Sequence, residues 1–384
     1  MKHKTEDLIA LRRDLHAHPE LGYQEHRTAA LIAERLRAAG LEVTEGVAGT
    51  GVVALLRGSA RGKTVLVRAD MDALPIVEES TQSYRSQNQG VMHACGHDGH
   101  VAIAILVAET LAAARAHVRG NVKFVFQPAE ESIGGAEPMI QSGVLENPHV
   151  DLAVALHLWN ELPVGTVGVR AGPIFAGADA FTITLTGRGG HGAMPHQAVD
   201  AIAIAGQVLV SIQTLVSREV SPFQPAVVTV GTIQGGTAFN IIAPIVQMQG
   251  TIRTFDQSVR DQLVERLTIL TSGIAAGMRG QSELSVTMSC PAVVNDADVC
   301  EIIRQAAIAT IGPENVGDMH PSTGADDMSY FLQHVPGCYF VVGSANPERG
   351  LGKPHHHPQF DIDESALWVG AAVLARSTLR LLSG

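Results

Sequence analysis

The sequence predicts an α/β domain interrupted by an inserted α+β domain, and three patterns carry that expectation. First, continuous apolar strands at 64–68, 121–126 and 151–156 alternate with helices, including one over 101–114. Alternation of this kind builds a sheet covered by helices on both faces. Second, the middle third changes rhythm: strand 181–186, helix 199–216, strands 225–233 and 245–254, helix 258–278, strand 283–289. That βαββαβ order is the split, ferredoxin-like unit of about a hundred residues. Third, helix and strand resume afterwards at 298–311 and 337–343, and a last helix spans 364–382. The expected division is 1–177 with 291–384 for the α/β domain and 178–290 for the insert. The chain would cross between them near 171–177 and 291–295. A chain of 384 residues suits two domains at about 150 residues each.

At the N-terminus, Leu8, Leu11 and Leu15 recur on one helical face, with Thr5 expected as N-cap, Glu6 and Asp7 in the first turn, and Pro19 as the stop. A second helix is expected over 25–39, ended by Gly40.

Composition excludes several classes. Apolar residues make up 46% and charged residues 17%, which supplies a core and rules out disorder. A net charge of −11 argues against nucleic acid or an anionic membrane as partner. The first twenty residues lack an apolar leader, and the apolar run 101–108 stops at Glu109, too short to span a bilayer. Four scattered cysteines, Cys95, Cys290, Cys300 and Cys338, make no disulfide scaffold and suit a reducing compartment. The expectation is a cytoplasmic protein.

The chemistry sits at the strand ends. Ligands of open α/β sheets bind outside the carboxyl ends of the strands. There the sequence places Asp70 and Asp72, then Glu130 and Glu131, then His157. Met92-His-Ala-Cys-Gly-His-Asp-Gly-His100 adds a thiol, imidazoles and a carboxylate just before a helix. Thiolate and imidazole are good ligands for zinc and similar ions. Gly96 lets the backbone turn Cys95 and His97 toward one ion. A nucleophilic Cys95 activated by His97 is the competing chemistry. In Glu130-Glu131, one carboxylate can bind metal while its neighbour serves as general base. His355-His-His-Pro358 forms a further internal histidine run, and His16 and His18 near Pro19 read as structural or solvated.

These segments resemble the M20 metallopeptidase family. The residues that carry the likeness are Arg68-Ala-Asp-Met-Asp-Ala-Leu-Pro-Ile76, the 92–100 segment, Phe126-Gln-Pro-Ala-Glu-Glu131, Gly189-Gly-His-Gly-Ala-Met-Pro-His196 and His356-His-Pro-Gln-Phe-Asp361. The nearer likeness is to its amidohydrolase branch of hippurate hydrolases, N-acyl-amino-acid amidohydrolases and auxin-conjugate hydrolases. The resemblance implies a two-metal α/β domain with an inserted lid and dimerisation domain, in a homodimer or a dimer of dimers. It implies metal ligands Cys95, His97, Glu131, His157 and His356, with Glu130 as general base and Asp72 orienting the cluster. His356 is chosen by the family's His-x-Pro-x-Phe pattern, leaving His355 and His357 behind the ligands or in solvent. The wider family carries His where this chain has Asp70, so Asp70 is not carried into the ligand set. Ala325-Asp-Asp327 departs from the usual Glu-Asp by one methylene at Asp326. His191, Asn240 and Arg253 match substrate-binding positions, and His191 would reach the partner's active site. The implied activity is hydrolysis of the amide bond of small N-acyl amino acids with two divalent ions per subunit, zinc, manganese or cobalt. A dipeptidase or carboxypeptidase, or a non-catalytic binding protein, are the alternatives.

Overall fold

The computed structural model describes residues 2–131 and 134–383, with side chains from Thr5 onward. The chain divides into two compact units. The larger comprises Met1–Ile174, Val294–His320 and Asp327–Gly384; the smaller comprises Phe175–Val293 with Pro321–Asp326. The stretch 291–384 therefore does not stay whole. Pro321–Asp326 groups with the smaller unit, where the Ala176 N–H donates to the carbonyls of Ser322 (3.1 Å) and Gly324 (2.9 Å).

Lys2–Ala17 (α1) and His26–Ala38 (α2) open the chain. Helix α1 begins ahead of Thr5, so Thr5 lies inside the helix and is not its N-cap. Glu42–Val47 (β1) and Gly51–Arg57 (β2) form an antiparallel pair absent from the sequence reading. Strand β1 is largely exposed, so it carries little apolar pattern. Ala60–Asp70 (β3) leads to His97–Ala113 (α3), Arg119–Gln127 (β4), Ala136–Gln141 (α4), Leu152–Pro163 (β5) and Val167–Gly168 (β6). Helix α3 starts four residues before the expected 101. Gly96, at φ 89°, turns the chain directly into it, a conformation open to a residue without Cβ. Strand β5 runs on past His157, which thus lies within the strand and not at its end.

Gly172–Phe175 (β7) leads into the smaller unit: Gly177–Thr186 (β8), Gly190–His191 (β9), Ala201–Thr214 (α5), Ala226–Gly235 (β10), Ile241–Ile242 (β11), Ile245–Thr254 (β12), Gln257–Gly277 (α6) and Gln281–Cys290 (β13). Val293–Asn295 (β14) leads out to Ala297–Ile311 (α7), Val316–Gly317 (β15), Met328–His334 (α8), Gly337–Ala345 (β16) and Ser365–Ser383 (α9).

The larger unit is a mixed sheet in the order β1-β2-β4-β3-β5-β16-β6-β15. Its centre, β4-β3-β5-β16, is parallel. Side chains alternate between its faces. Val65, Val67 and Ala69 of β3 join Phe124, Phe126, Val154, Leu156 and Phe340 in one core with α3 and α9. The intervening positions place Arg68, Asp70, Gln127 and His157 on the opposite face. Register sets Asp70 opposite Gln127 and Arg68 opposite Ala155, two residues short of His157. Polar residues of three strands thus meet at one edge, where the strand order reverses around β3 and open α/β sheets bind their ligands.

The smaller unit is an antiparallel sheet in the order β10-β12-β8-β13, with α5 and α6 packed on it through Phe181, Ile183, Leu185, Ile204, Val208, Met248, Leu263 and Leu267. This is the βαββαβ arrangement expected. Asp200 and Asp256 cap α5 and α6 by accepting from the amides of Ile202, Ala203, Ser258 and Val259. Two helical stretches, Ala201–Glu219 and Ser365–Ser383, are long and apolar enough to cross a membrane by length and composition. Each buries a row of residues in the core of its own unit.

Candidate metal centre

Five segments of the larger unit converge. Asp72 lies just past β3. Cys95 and His97 flank the turn at Gly96. Glu130 and Glu131 follow β4 and the left-handed turn at Ala129 (φ 52°). His356, itself at φ 64°, is tied in by its N–H, which donates to the Ala94 carbonyl at 2.8 Å. His157 comes in from β5.

Hydrogen bonds choose the ring tautomers. His97 Nδ1 lies 3.0 Å from the Asp72 carbonyl and His157 Nδ1 lies 2.7 Å from the Leu158 carbonyl. A carbonyl only accepts, so each ring carries its proton on Nδ1 and turns the Nε2 lone pair inward. His157 Nε2 is 3.5 Å from Cys95 Sγ. Glu131 Oε1 lies 3.8 Å from His97 Nε2 and 3.3 Å from His356 Nε2. The ligand atoms of Cys95, His97 and His157 lie within 4.8 Å of one another, as do those of Cys95, Glu131 and His356, and those of His97, Glu130 and Glu131. Cys95 belongs to two of these groups and so does Glu131. All five residues expected as ligands are thus brought together, beside the carboxylate expected as base.

Their electrostatics match a cation. His97 Nε2 is buried and makes no hydrogen bond. Burial works against charge on His97, yet Asp70, Asp72 and Glu131 push its pKa up to about 10. Burial pushes the Cys95 thiol well up, helped by Glu131, Glu130 and Asp70. Burial also disfavours the charged form of Glu131, but His356 and His97 bring it below the usual carboxylate range. Burial, with His100 and His355 adding to it, holds His157 well down as a neutral imidazole. A pocket that draws protons onto a thiol and an imidazole is short of positive charge. A divalent ion supplies that charge and takes both donors unprotonated. Thiolate, imidazole and carboxylate donors fit zinc or cobalt.

Behind the cluster lies a polar network that the sequence did not reveal. Asp70 accepts from Arg68 Nη1 and pairs with His100 Nδ1, both at 2.5 Å. Arg68 also donates to Gln127 and to Asp327, each at 2.9 Å. The Leu158 N–H donates to His100 Nε2 at 3.0 Å, which leaves the proton on Nδ1 for Asp70. Asp70 is therefore committed to Arg68 and His100, and its Oδ1 stands 3.8 Å from His97 Nε2. An arginine inside an apolar strand was the available signal. Asp72 accepts the amides of Glu130 (3.0 Å) and Glu131 (3.1 Å), the orienting work expected of it. His355 donates from Nε2 to the Leu158 carbonyl at 2.9 Å, so it stands behind the ligands as expected. A second buried hub joins the flanks of two expected ligands: Arg12 donates to Asp98, next to His97, and to Asp361, beyond His356, each at 2.8 Å. His16 completes that hub on Asp98 at 2.8 Å, whereas half-exposed His18 bonds the Asp14 carbonyl at 2.8 Å.

The remaining expected residues lie in the smaller unit. His191 pairs with Ile241 in the β9–β11 ladder, and Asn240 beside it accepts the Gly192 N–H at 2.8 Å through its carbonyl. The His191 ring accepts the Ala193 N–H at Nδ1 (3.0 Å), which leaves the Nε2 proton as a donor. Arg253 lies near the other end of β12, opposite Ala178 and Val227. Asp256, three residues on, caps α6. The eight steps from Ile245 to Arg253 span ~27 Å at about 3.4 Å each. His191 and Asn240 thus sit together ahead of β12, and Arg253 lies near its far end.

Comparison with known proteins follows the same lines. The model of peptidase family M20/M25/M40 matches residues 66–380. Thermostable carboxypeptidase 1 of Saccharolobus solfataricus is 40% identical over 95% of this chain and 92% of its own length. The N-acyl-L-amino acid amidohydrolase of Geobacillus stearothermophilus is 45% identical over 75% of this chain and 78% of its own. The crystal structure of the Bacillus subtilis YXEP protein, a dinuclear metal-binding peptidase of the M20 family, superposes with a TM-score of 0.88 at 34% identity, covering 100% of this chain and 99% of that one.

Chelator-treated protein should recover divalent ions on dialysis, and Cys95 tests the cluster. Cys95→Ala should lose most bound metal by elemental analysis, and Cys95→Asp should retain part of it. Wild-type metal content in Cys95→Ala would remove Cys95 from the ligands.

Proposed function

The chain belongs to peptidase family M20/M25/M40, and on that premise we propose that it hydrolyses the amide bond of N-acyl amino acids at a two-metal centre. The acyl group is of the aroyl or acetyl type, and the products are a carboxylic acid and a free amino acid. The observation that carries this reading is the adjacent pair Glu130 and Glu131 within 4.8 Å of His97. One carboxylate ligates while its neighbour accepts a proton, and a protein that only bound metal would need no such base.

Cys95, His97, Glu131, His157 and His356 would hold the two ions, which would polarise the scissile carbonyl and lower the pKa of a bound water. Glu130 takes the proton of the attacking water and passes it to the nitrogen as the carbon–nitrogen bond breaks. Asp72 holds the amides of both glutamates so that the two roles stay separate. Arg253 pairs through its forked guanidinium with the α-carboxylate. His191 donates its Nε2 proton to the oxyanion that forms as water adds, and Asn240 stands with it.

Arg253 lies near the far end of β12, whose Ile245 end follows the Ile241–His191 pairing. On this reading Arg253 and His191 contact one substrate from different copies, which a two-fold dimer provides. Exposed apolar residues support a second copy as partner: Val210 of α5 is 71% exposed, Ile233 of edge strand β10 is 51% exposed, and Phe239 is fully exposed. The four cysteines are free thiols, in keeping with the cytoplasmic setting of this reading.

A carboxypeptidase among the relatives favours one competing substrate, a peptide with a free N-terminus. Metal-loaded enzyme assayed on N-acyl amino acids and on the matching dipeptides separates the two; preference for dipeptides would overturn the substrate assignment. On the preferred substrate, Glu130→Gln should lose roughly 10²–10⁴-fold in kcat with metal content unchanged. Loss of metal instead would exchange the roles of Glu130 and Glu131. His191→Ala alone should also be nearly inactive. Reassembled His191→Ala and Glu130→Gln heterodimers should regain activity, because one of the two sites then has an intact Glu130 and an intact His191. Heterodimers that form but stay inactive would place His191 outside the partner's site.

A further inference from the structure

The loop that carries both glutamates is gripped from a segment the reaction scheme leaves unused. Three successive amides of that loop are held by carboxylates. Asp72 takes those of Glu130 and Glu131. The first in line, Ala129 N–H, donates to Glu25 Oε1 at 2.9 Å, and Thr50 donates its hydroxyl to Glu25 Oε2. Glu25 stands at the N-cap position of α2, yet its side chain makes no cap bond. It is fully buried and, among the described residues, forms no ion pair. Burying a carboxylate without a cation is costly unless every lone pair it can use is satisfied. The α2 amides that a cap would take, those of Arg27 and Thr28, already donate to the Glu20 carboxylate at 2.9 and 2.8 Å, which leaves Glu25 to serve Ala129.

At φ 52° Ala129 occupies a left-handed conformation that disfavours any residue with a Cβ. Left unsupported, this turn would relax and swing the two residues that follow it. The neighbours of Glu25 close in on the same turn. A Cβ at Gly22 would lie 2.9 Å from Ala129 Cβ, so only glycine leaves room there. Tyr23 donates its hydroxyl to the Gly134 carbonyl at 3.3 Å, and the Gly134 N–H donates to the Ala129 carbonyl at 2.9 Å, closing the neck of the loop. Ala73 N–H donates to the Glu20 carbonyl at 2.8 Å, which ties the same segment to the chain just beyond Asp72.

We infer that Glu25 is a positioning residue for the hydrolytic reaction: its buried carboxylate fixes the left-handed turn at Ala129 and so aims Glu130 at the attacking water. The inference rests on Glu130 being the base. Misplacement of a reacting group by about 1 Å can cost a hundredfold in rate.

The test compares Glu25→Met, Glu25→Gln, Thr50→Val and Glu130→Gln in kcat, KM and metal content. Glu25→Met keeps bulk and removes the acceptor. It should lower kcat about ten- to a hundredfold, with KM within about twofold and metal content as in the wild type. Glu25→Gln keeps an acceptor for the Ala129 amide and should recover most of that loss. Thr50→Val should show a smaller fall in the same direction. Unchanged kcat in Glu25→Met, a fall explained by lost metal, or a Gln variant no better than Met would each overturn the inference. If Glu25→Met does not fold, Thr50→Val decides alone, and unchanged kcat there overturns it. Full turnover in Glu130→Gln would instead sink the general-base reading beneath it. An inactive Glu130→Gln beside a fully active Glu25→Met would sink the positioning role alone.

Discussion

Negative charge crowded at the carboxyl edge of the large sheet is the constraint to which the rest of the structure answers. Asp70, Asp72 and Asp327 are buried there, with Glu25 behind them and Glu130, Glu131 and Cys95 in front. Like charges so close keep their charge only beside cations or donors that satisfy them. Arg68 neutralises the rear of the group by donating to Asp70 and Asp327. Main-chain amides satisfy Asp72 and Glu25. Among the described residues no arginine or lysine pairs with Cys95 or Glu131, whose neighbours are histidines presenting Nε2. The unmet demand for positive charge lies where five donors converge, which is why a metal centre is the simplest completion of this edge.

The same demand orders the polar residues by depth. Asp70 could have been a ligand by its place at the end of β3, but Arg68 and His100 already hold it. His97 and His157 keep Nε2 free because backbone carbonyls take their Nδ1 protons, with Asp72 Oδ1 a further 3.4 Å neighbour of His97 Nδ1. The loop glutamates are aimed through their amides, which leaves both carboxylates available for chemistry. In the smaller unit the constraint is one of length. Strand β12 begins just after Asn240 and the Ile241–His191 pairing and carries Arg253 near its far end.

Much of this was legible in the sequence, and what was hidden has a physical cause. Apolar runs marked the central strands, and the doubled rhythm of the middle third marked the βαββαβ insert. Close pairs such as Cys95 with His97, and Glu130 with Glu131, marked the candidate site. Networks whose members are far apart left little local trace beyond the arginine itself: Arg68 meets Asp327 across 259 positions, and Arg12 meets Asp361 across 349. Exposed β1 lacked an apolar period, and α3 lacked a polar N-cap because Gly96 starts it by backbone conformation. Thr5 had the right chemistry for a cap, but α1 begins before it. Glu25 read as an ordinary residue at a helix start because its partner, the Ala129 amide, is 104 positions away.

The central claim is that Cys95, His97, Glu131, His157 and His356 are the metal ligands. Anomalous diffraction from crystals of the zinc- or cobalt-loaded protein measures this directly. Anomalous peaks are expected among these five side chains, about 2.0–2.3 Å from their donor atoms. Peaks elsewhere, or none within reach of Cys95, would contradict it.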